Sequence, residues 1–351
     1  MATLSSVYPT LLDRAKMTDP DGKIAMIADI ISEEHPILDD IPWIEGNSPT
    51  GHLITVRTGY AAPTRRLINS GVAPNKGTTG QIFEPCEMLE AQAHQDATLA
   101  ELGGDVEGFR MTEDKAHISG LGNTLASDLF TADAQTTPEA FDGFQTRYFT
   151  LGSTYVTSSQ VIEPSAGNHA AADLTSIWLV AWHPDKCFCI YPKGTKAGLQ
   201  FKNLGLQNVL VDATNNLWMM AYVSWYQWLA GLCIKDYRSV VRICNLDVSQ
   251  NLTAGDSTDN SDNITKLMSR SLDIVPKGAS SNGSKLAFYM NRSILSMLRV
   301  KLEIKGNMAL SVRDVVTQDG FGRKELTYYG IPCRLEEAIT STESAVLPSS
   351  T

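Results

Sequence analysis

Catalytic signatures are missing from this chain. It has no GxxxxGK[ST] loop, no GxGxxG behind a strand, no HExxH and no GxSxG. The commonest nucleotide, metalloprotease and serine-hydrolase sites are therefore excluded. Charge is also scarce, at 19% of residues, and its balance is −10. That balance argues against a protein that grips nucleic acid through a basic face, though a wall that merely encloses nucleic acid needs no such face. Cysteine is sparse: the 6 residues lack framework spacing, which suits a reducing cytoplasm. The first residues, "MATLSSVYPTLLDRAKMTDPDGK", lack the basic start and apolar run of a signal peptide. What remains is ample apolar material, 43% of 351 residues, enough for two or three domains on a prior of roughly 100–200 residues each.

Three short motifs invite chemistry and are better read as structure. "HPDKCFC" gathers His183, Cys187 and Cys189, which could supply two or three metal ligands. A closed zinc site needs four ligands, usually with CxxC-like spacing. Strand alternation would put both cysteines on one face, where buried thiols are common, so core cysteines and a surface histidine are expected. "DPDGK" opens like a calcium loop, but the closing glutamate is absent and Ile30 stands in its place. A turn and helix cap is the better reading. Tyr328 and Tyr329 could stack on a base, yet no basic residues frame them. Asp39-Asp40 and Glu336-Glu337 are read as solvated pairs.

The longest run without charge, Ala213 to Ile234, lies between Asp212 and Lys235 and contains Trp218, Trp225 and Trp228. A spanning helix needs roughly 20 apolar residues, so its length would cross a bilayer. Its composition is β-favouring, however, and Ser224, Gln227 and Gly231 interrupt it. The expectation is long antiparallel strands with large aromatic pairs, Trp225 and Trp228 on opposite faces, continued by Val240, Val241 and Ile243.

Other segments divide by pattern. Residues 19–45 begin with a capped helix carrying Ile24, Ile27, Ile30 and Ile31, then Pro36 and Pro42 force an extended chain, so the segment reads as an arm. Residues 51–83 are short β segments among Gly, Pro, Asn and Thr, too poor in apolar residues for a private core. A long hairpin that leans on something else is predicted. Residues 112–130 predict a helix with Thr112 as N-cap and Ile118, Leu121, Leu125 and Leu129 on one face. Gly120 and Gly122 each weaken it by roughly 1 kcal/mol relative to alanine, so a bend is expected there. Two strands flank the turn "HPDK" in residues 177–191. Helices over 262–275 and 291–304 flank the buried strand "KLAFYM". A late strand pair over 324–339 bends at Gly330-Ile331-Pro332. The total is α+β without regular βαβ alternation.

Charge order singles out one surface. Between Gly51 and Phe83 there is no Asp or Glu, while Arg57, Arg65, Arg66 and Lys76 are present. The flanks are acidic, with Asp39 and Asp40 on one side and Glu84 and Glu87 on the other. A loop without its own core must lie on another surface, and sign complementarity would select that surface. These eight residues, with Trp225 and Trp228, are the candidate inter-subunit contacts.

The runs "TDPDGKIAMIADIISEEHPILDDIPWIEGN" and "GHLITVRTGYAAPTRRLINSGVAPNKGTT" resemble the major capsid proteins of short-tailed, epsilon-fifteen-type phages. So do "PEAFDGFQTRY", "TSIWLVAWHPD", "IYPKGTKAGLQ", "GLCIKDYRSVVRICNLD", "AFYMNRSILSMLR" and "YYGIPCRLEEAI", in that order along the chain. The resemblance departs at "QAHQDATLA" and after Thr340. It implies the Hong Kong 97-type capsid fold: an N-terminal arm (1–45), an extended loop (46–98), a peripheral domain with its spine helix (99–170) and long strands (225–255), and an axial domain (171–224 and 256–351). It further implies a shell subunit, not an enzyme, without cofactor or metal. That subunit would form hexamers and pentamers of itself around double-stranded DNA. Its implied partners are an assembly scaffold, a portal and a possible decoration protein, with no membrane. The chain would reside in the virion and, during assembly, in the host cytoplasm. An encapsulin-like compartment is the alternative, and a soluble metal enzyme using His183, Cys187 and Cys189 a distant one.

Overall fold

The computed structural model describes residues 8–11, 35–102, 104–152, 154–164, 169, 171–212, 216–249, 263–276, 283–303, 310–316 and 322–348. The predicted arm helix, from Asp21 through Ile31, lies outside the described residues, as does "DPDGK". The chain divides into two compact units. The first comprises Met1–His35, Met88–Ser127 and Gly198–Leu229; the second comprises Pro36–Glu87, Asp128–Ala197 and Ala230–Thr351.

In the first unit, most of β4 (Glu87–Asp96) leads into a short helix, Ala97–Glu101. Asp96 caps that helix by accepting from the backbone N–H groups of Thr98 and Leu99 at 2.8 and 3.2 Å. A long helix, Val106–Thr131, follows and ends in the second unit. It starts ahead of the predicted Thr112. Asp105 accepts from the Gly108 N–H at 2.9 Å, whereas the Thr112 hydroxyl donates back to the Gly108 carbonyl, a mid-helix habit. Leu121, Leu125 and Leu129 are buried as expected, but Ile118 is 39% exposed. The helix is unbroken at Gly120 and Gly122, where the pattern suggested a bend.

Strands β8 (Gln200–Asp212) and β9 (Leu217–Ile234) pair antiparallel from Gln200↔Gln227 to Asp212↔Leu217. From Leu217 to Ile234 the charge-free run is thus a strand. Among the described residues no helix is long and apolar enough to cross a membrane. Leu99, Ala100 and Phe109 pack with Val106 and Tyr222. The Arg110 guanidinium lies 5.1 Å over the Tyr222 ring and donates to Asn203 and Ser224 at 2.9 and 3.1 Å. One long side chain thereby links helix and hairpin by stacking and hydrogen bonds together. Because β8 and β9 form one hairpin, the expected boundary between 224 and 225 does not mark a structural break.

The second unit is built on a seven-stranded sheet, ordered β12-β13-β14-β11-β6-β10-β5. Its members are β5 (Val161–Ile162), β6 (Leu174–Trp182), β10 (Val240–Asp247), β11 (Lys285–Met290), β12 (Leu310–Val316), β13 (Gly322–Tyr328) and β14 (Ile331–Leu335). Strand β6 is buried at every position, which is why "LTSIWLVAW" reads as a run and not as alternation. One face, through Ile177, Leu179, Val241, Ile243 and Phe288, packs on the helices Ile264–Ile274 and Arg292–Glu303. The other carries Trp178, whose ring centroid lies 5.6 to 6.3 Å from those of Phe130, Phe144 and Tyr148. Strand β10 belongs to this sheet, not to the β8–β9 hairpin.

Two turns differ from their sequence reading. After "HPDK", β7 (Cys187–Tyr191) leaves β6 following one bridge, His183↔Cys187. It pairs instead with β1 (Trp43–Glu45) and with the end of β9. The late hairpin bends at Tyr329-Gly330, with φ of 48° and 79°. Two positive φ values make the tight hairpin turn whose twist matches the strands. Ile331 and Pro332 already pair with Tyr328 and Thr327 in the ladder.

Candidate functional site

In the second unit, β2 (Gly51–Gly59) and β3 (Thr78–Pro85) form a two-stranded hairpin, paired from Gly51↔Pro85 outward. Its base is built into the subunit. Ile54 packs with Phe188, Ile190 and Cys233, joined by Ile44, Val56 and Cys86. The Asn47 side chain bonds both the N–H and the carbonyl of Leu53, each at 2.8 Å. Gly51 and Gly231 allow the close approach: a Cβ would stand 2.1 Å from the Glu84 carbonyl oxygen at the first and 2.5 Å from that of Pro85 at the second.

An ion pair closes the base. Arg147 donates through both terminal nitrogens to the two Glu84 oxygens at 2.8 and 2.6 Å. Its Nε and Nη2 also donate to the carbonyls of Asp142 and Leu232 at 3.0 and 3.3 Å. Glu84 is 4% exposed. The paired carboxylate holds the Arg147 guanidinium above its usual range although burial acts the other way. The bidentate geometry is the form in which Arg fixes a carboxylate most firmly. Nothing in the sequence marked Arg147, which is a single cation in "FDGFQTRY".

Beyond the base the hairpin is bare. Every residue from Tyr60 to Thr79 is exposed, including Leu67 at 80%, Ile68 at 91% and Tyr60 at 86%. Burying one such side chain is worth about 1.5–3 kcal/mol, so the tip leaves substantial free energy unused within its own chain. Arg57, Arg65, Arg66 and Lys76 lie on the same exposed stretch, and Arg57 sits 6.0 Å over the Tyr60 ring. The tip has its own local order: Ser70 bonds the Leu67 carbonyl, Asn69 takes φ 68°, and Asn75 bonds the Ala62 carbonyl.

The other predicted contact residues divide between surface and interior. Asp39 is exposed. Asp40 is engaged inside its subunit, accepting from the Tyr289 hydroxyl at 2.8 Å and pairing with Arg334 at 2.7 Å. Glu84 and Glu87 are buried, so neither is available to a neighbour's surface in this conformation. Local sequence shows only charge, and these acids lie where β3 and β4 pass into a packed base. Trp225 and Trp228 are half-buried in the first unit. Of the pairs read as solvated, Glu336 is fully buried and accepts from the Ile37 N–H at 3.4 Å.

The metal candidates do not converge. Cys187 and Cys189 are both buried, and burial pushes both thiols well up. His183 Nδ1 accepts from the Asp185 N–H at 3.0 Å within its turn. Among the described residues no group of three His, Cys, Asp or Glu side chains is placed to hold a metal ion.

A spine-like helix with a long hairpin, a sheet-based unit and a projecting extended loop define a capsid protein of the Hong Kong 97-type fold. The family model described as major capsid protein GP7 matches residues 19–347, and the chain belongs to that family. The solved structure of bacteriophage Epsilon15 is similar over 99% of each chain, with 25% identity and a TM-score of 0.75. The bacteriophage JBD30 capsid matches over 95% of this chain and 99% of its own, at 9% identity and a TM-score of 0.46. An encapsulin complex from Synechococcus elongatus matches over 69% and 97%, at 8% identity and a TM-score of 0.42. No curated protein matches the chain. The protein is therefore structural and not an enzyme: it self-assembles into the icosahedral shell of a phage and is a component of the virion.

Proposed function

We propose that the subunit builds the pentamers and hexamers of a phage head around double-stranded DNA and that the hairpin tip is laid across a neighbouring copy. The observation that carries this reading is the tip itself, exposed, basic and apolar at once, on a base clamped by Glu84 and Arg147. Its acceptor surface would be acidic. Asp39 together with Glu90, Glu101, Asp105 and Glu107 is exposed and of the right sign. Each exposed pair adds about 0–1 kcal/mol, and repetition around a shell multiplies the effect. Trp225 and Trp228, half-buried in the subunit, would lose their remaining exposure in the shell.

In domain terms, the long helix and the β8–β9 hairpin would be the peripheral domain, and the seven-stranded sheet the axial domain. An assembly scaffold, a portal at one vertex and a decoration protein are the partners such a shell requires or accommodates, and assembly would occur in the host cytoplasm. A net charge of −10 suits a container that must not bind phosphate tightly. The test is the pair Arg65→Glu with Arg66→Glu. Subunits that fold normally but yield no regular shells are expected. Normal shells at both low and moderate salt would reject the contact.

A further inference from the structure

Within the first unit, β4, the long helix and a short N-terminal stretch enclose a cavity. Its empty volume is about 390 Å³, open solvent included. It is lined by Tyr8 and Pro9, by strand residues 92–95, and by Glu113 with His117 one turn further along the helix. Side chains of a strand alternate between faces, yet four consecutive residues reach this one space, because β4 ends the order of its sheet and the cavity runs along that edge.

The lining accepts hydrogen bonds and contains no Lys or Arg. Gln95 is 1% exposed, and its Nε2 donates to the Arg110 carbonyl at 3.5 Å. That bond sets the orientation of the amide and leaves Oε1 without a donor among the described residues. A buried oxygen in that state is costly, and the cavity beside it is where a donor can enter. His94 Nε2 donates to Gln92 Oε1 at 3.2 Å, so the neutral ring keeps a lone pair on Nδ1. Burial first, then His117, holds His94 below its ordinary range, which keeps the ring neutral at pH 7. The Tyr8 ring stacks on that of His94, with centroids 6.2 Å apart and planes 14° apart, and forms an aromatic wall. Pro9 and Ala93 add apolar surface, and Glu113 brings a carboxylate.

We propose that this cavity binds a primary alkylammonium ion, with its N–H donors on Gln95 Oε1 and the Glu113 carboxylate and its methylenes along Tyr8, Pro9 and Ala93. An anion would meet Glu113 and no cation. A guanidinium presents its donors in one rigid plane, whereas an ammonium fans three donors from a point. Acceptors that come from a strand and from a helix suit the second arrangement. The aromatic wall adds attraction for a cation over its face. Bound there, the ion would tie the N-terminal stretch at Tyr8 to β4 and to the long helix. Two sources carry the group: a free aliphatic amine, and a lysine of another copy.

The probe is n-butylammonium, titrated near pH 7.5 into the full-length, unassembled subunit. Binding is read by saturation-transfer NMR and by the imidazole signals of His94 and His117. A saturable response at both histidines is expected, at least about tenfold tighter than for tetramethylammonium, which has the charge and no N–H donor. Gln95→Leu should weaken binding about tenfold while the unfolding midpoint holds or rises, since the unserved oxygen is gone. No saturable response, equal affinity for the two cations, or unchanged affinity in Gln95→Leu would overturn the site. Should Gln95→Leu not fold, Glu113→Gln on the half-buried helix face decides, and unchanged affinity there rejects the proposal. Saturation transfer on assembled shells separates the sources. A cavity still open to butylammonium takes free amines. A cavity closed there, together with a lysine that reductive methylation reaches in subunits and not in shells, holds a neighbour's side chain.

Discussion

Arg147 and Glu84 decide how firmly the extended hairpin is rooted. The two oxygens meet two nitrogens of a planar fork, and the remaining guanidinium bonds go to backbone carbonyls. Glu84 and Arg147 side chains are 5% and 18% exposed, so neither charge can be rehydrated cheaply if its partner is removed. Arg147→Ala should destabilise the subunit by about 3–5 kcal/mol, measured by denaturant unfolding. Arg147→Lys should recover only part, because an ammonium cannot reproduce the fork. A loss below about 1 kcal/mol for Arg147→Ala would show that the pair is screened and peripheral. The sequence showed Glu84 as one acid in an acidic stretch and gave Arg147 no role. Pairing across that distance depends on topology, which local pattern does not contain. The same reason hid Asp40 and Glu336, whose partners Tyr289 and Ile37 are remote in the chain.

Elements were easier to read than partners. The helices at Ile264–Ile274 and Arg292–Glu303 and the strand Lys285–Met290 fall close to their predicted bounds, because periodicity and burial agree there. The long helix began early because Asp105, a good cap, precedes the glycine-containing turn "VEGF" that masks it. Residues 341–348, where the sequence resemblance departs, form an extended strap. Val346 exchanges hydrogen bonds with the Asn245 side chain, both at 2.8 Å. Glu343 bonds the Leu174 carbonyl through its N–H at 2.9 Å and pairs with Arg242 at 2.8 Å, both side chains 4% exposed. Arg242 also lies 4.9 Å over the Trp178 ring and donates to Ser176 and the Tyr148 carbonyl. Arg242→Met should therefore loosen a whole element: limited proteolysis is expected to cleave between 340 and 348 much sooner, while the helix Ile264–Ile274 stays protected. Uniform destabilisation without early tail cleavage would mean that the strap is held by its backbone bonds alone.

For the molecule as a shell component, the telling contrast lies between the two ends of the hairpin. Its base is packed and ion-paired, whereas Tyr60 through Thr79 touch solvent at every position. Ordering a residue costs roughly 1–2 kcal/mol in backbone entropy, and a tip without a core recovers little of that inside its own subunit. On the proposed neighbour-crossing role, the free energy to fix it would come from another copy, through the apolar Tyr60, Leu67 and Ile68 and the cations beside them. Hydrogen exchange should then be nearly unprotected over 60–77 in the unassembled subunit and strongly protected in the shell, with residues 51–56 and 80–85 protected in both states. Replacing 61–76 by a Gly/Ser linker should leave the subunit's unfolding midpoint within about 0.5 kcal/mol of the original, as for other surface changes, and abolish regular shells. Trp225 and Trp228 fluorescence should shift to the blue on assembly of the unaltered chain and not in the linker variant. Strong protection of the tip in isolated subunits would instead mean that it folds onto its own chain, and the neighbour-crossing role would have to be abandoned.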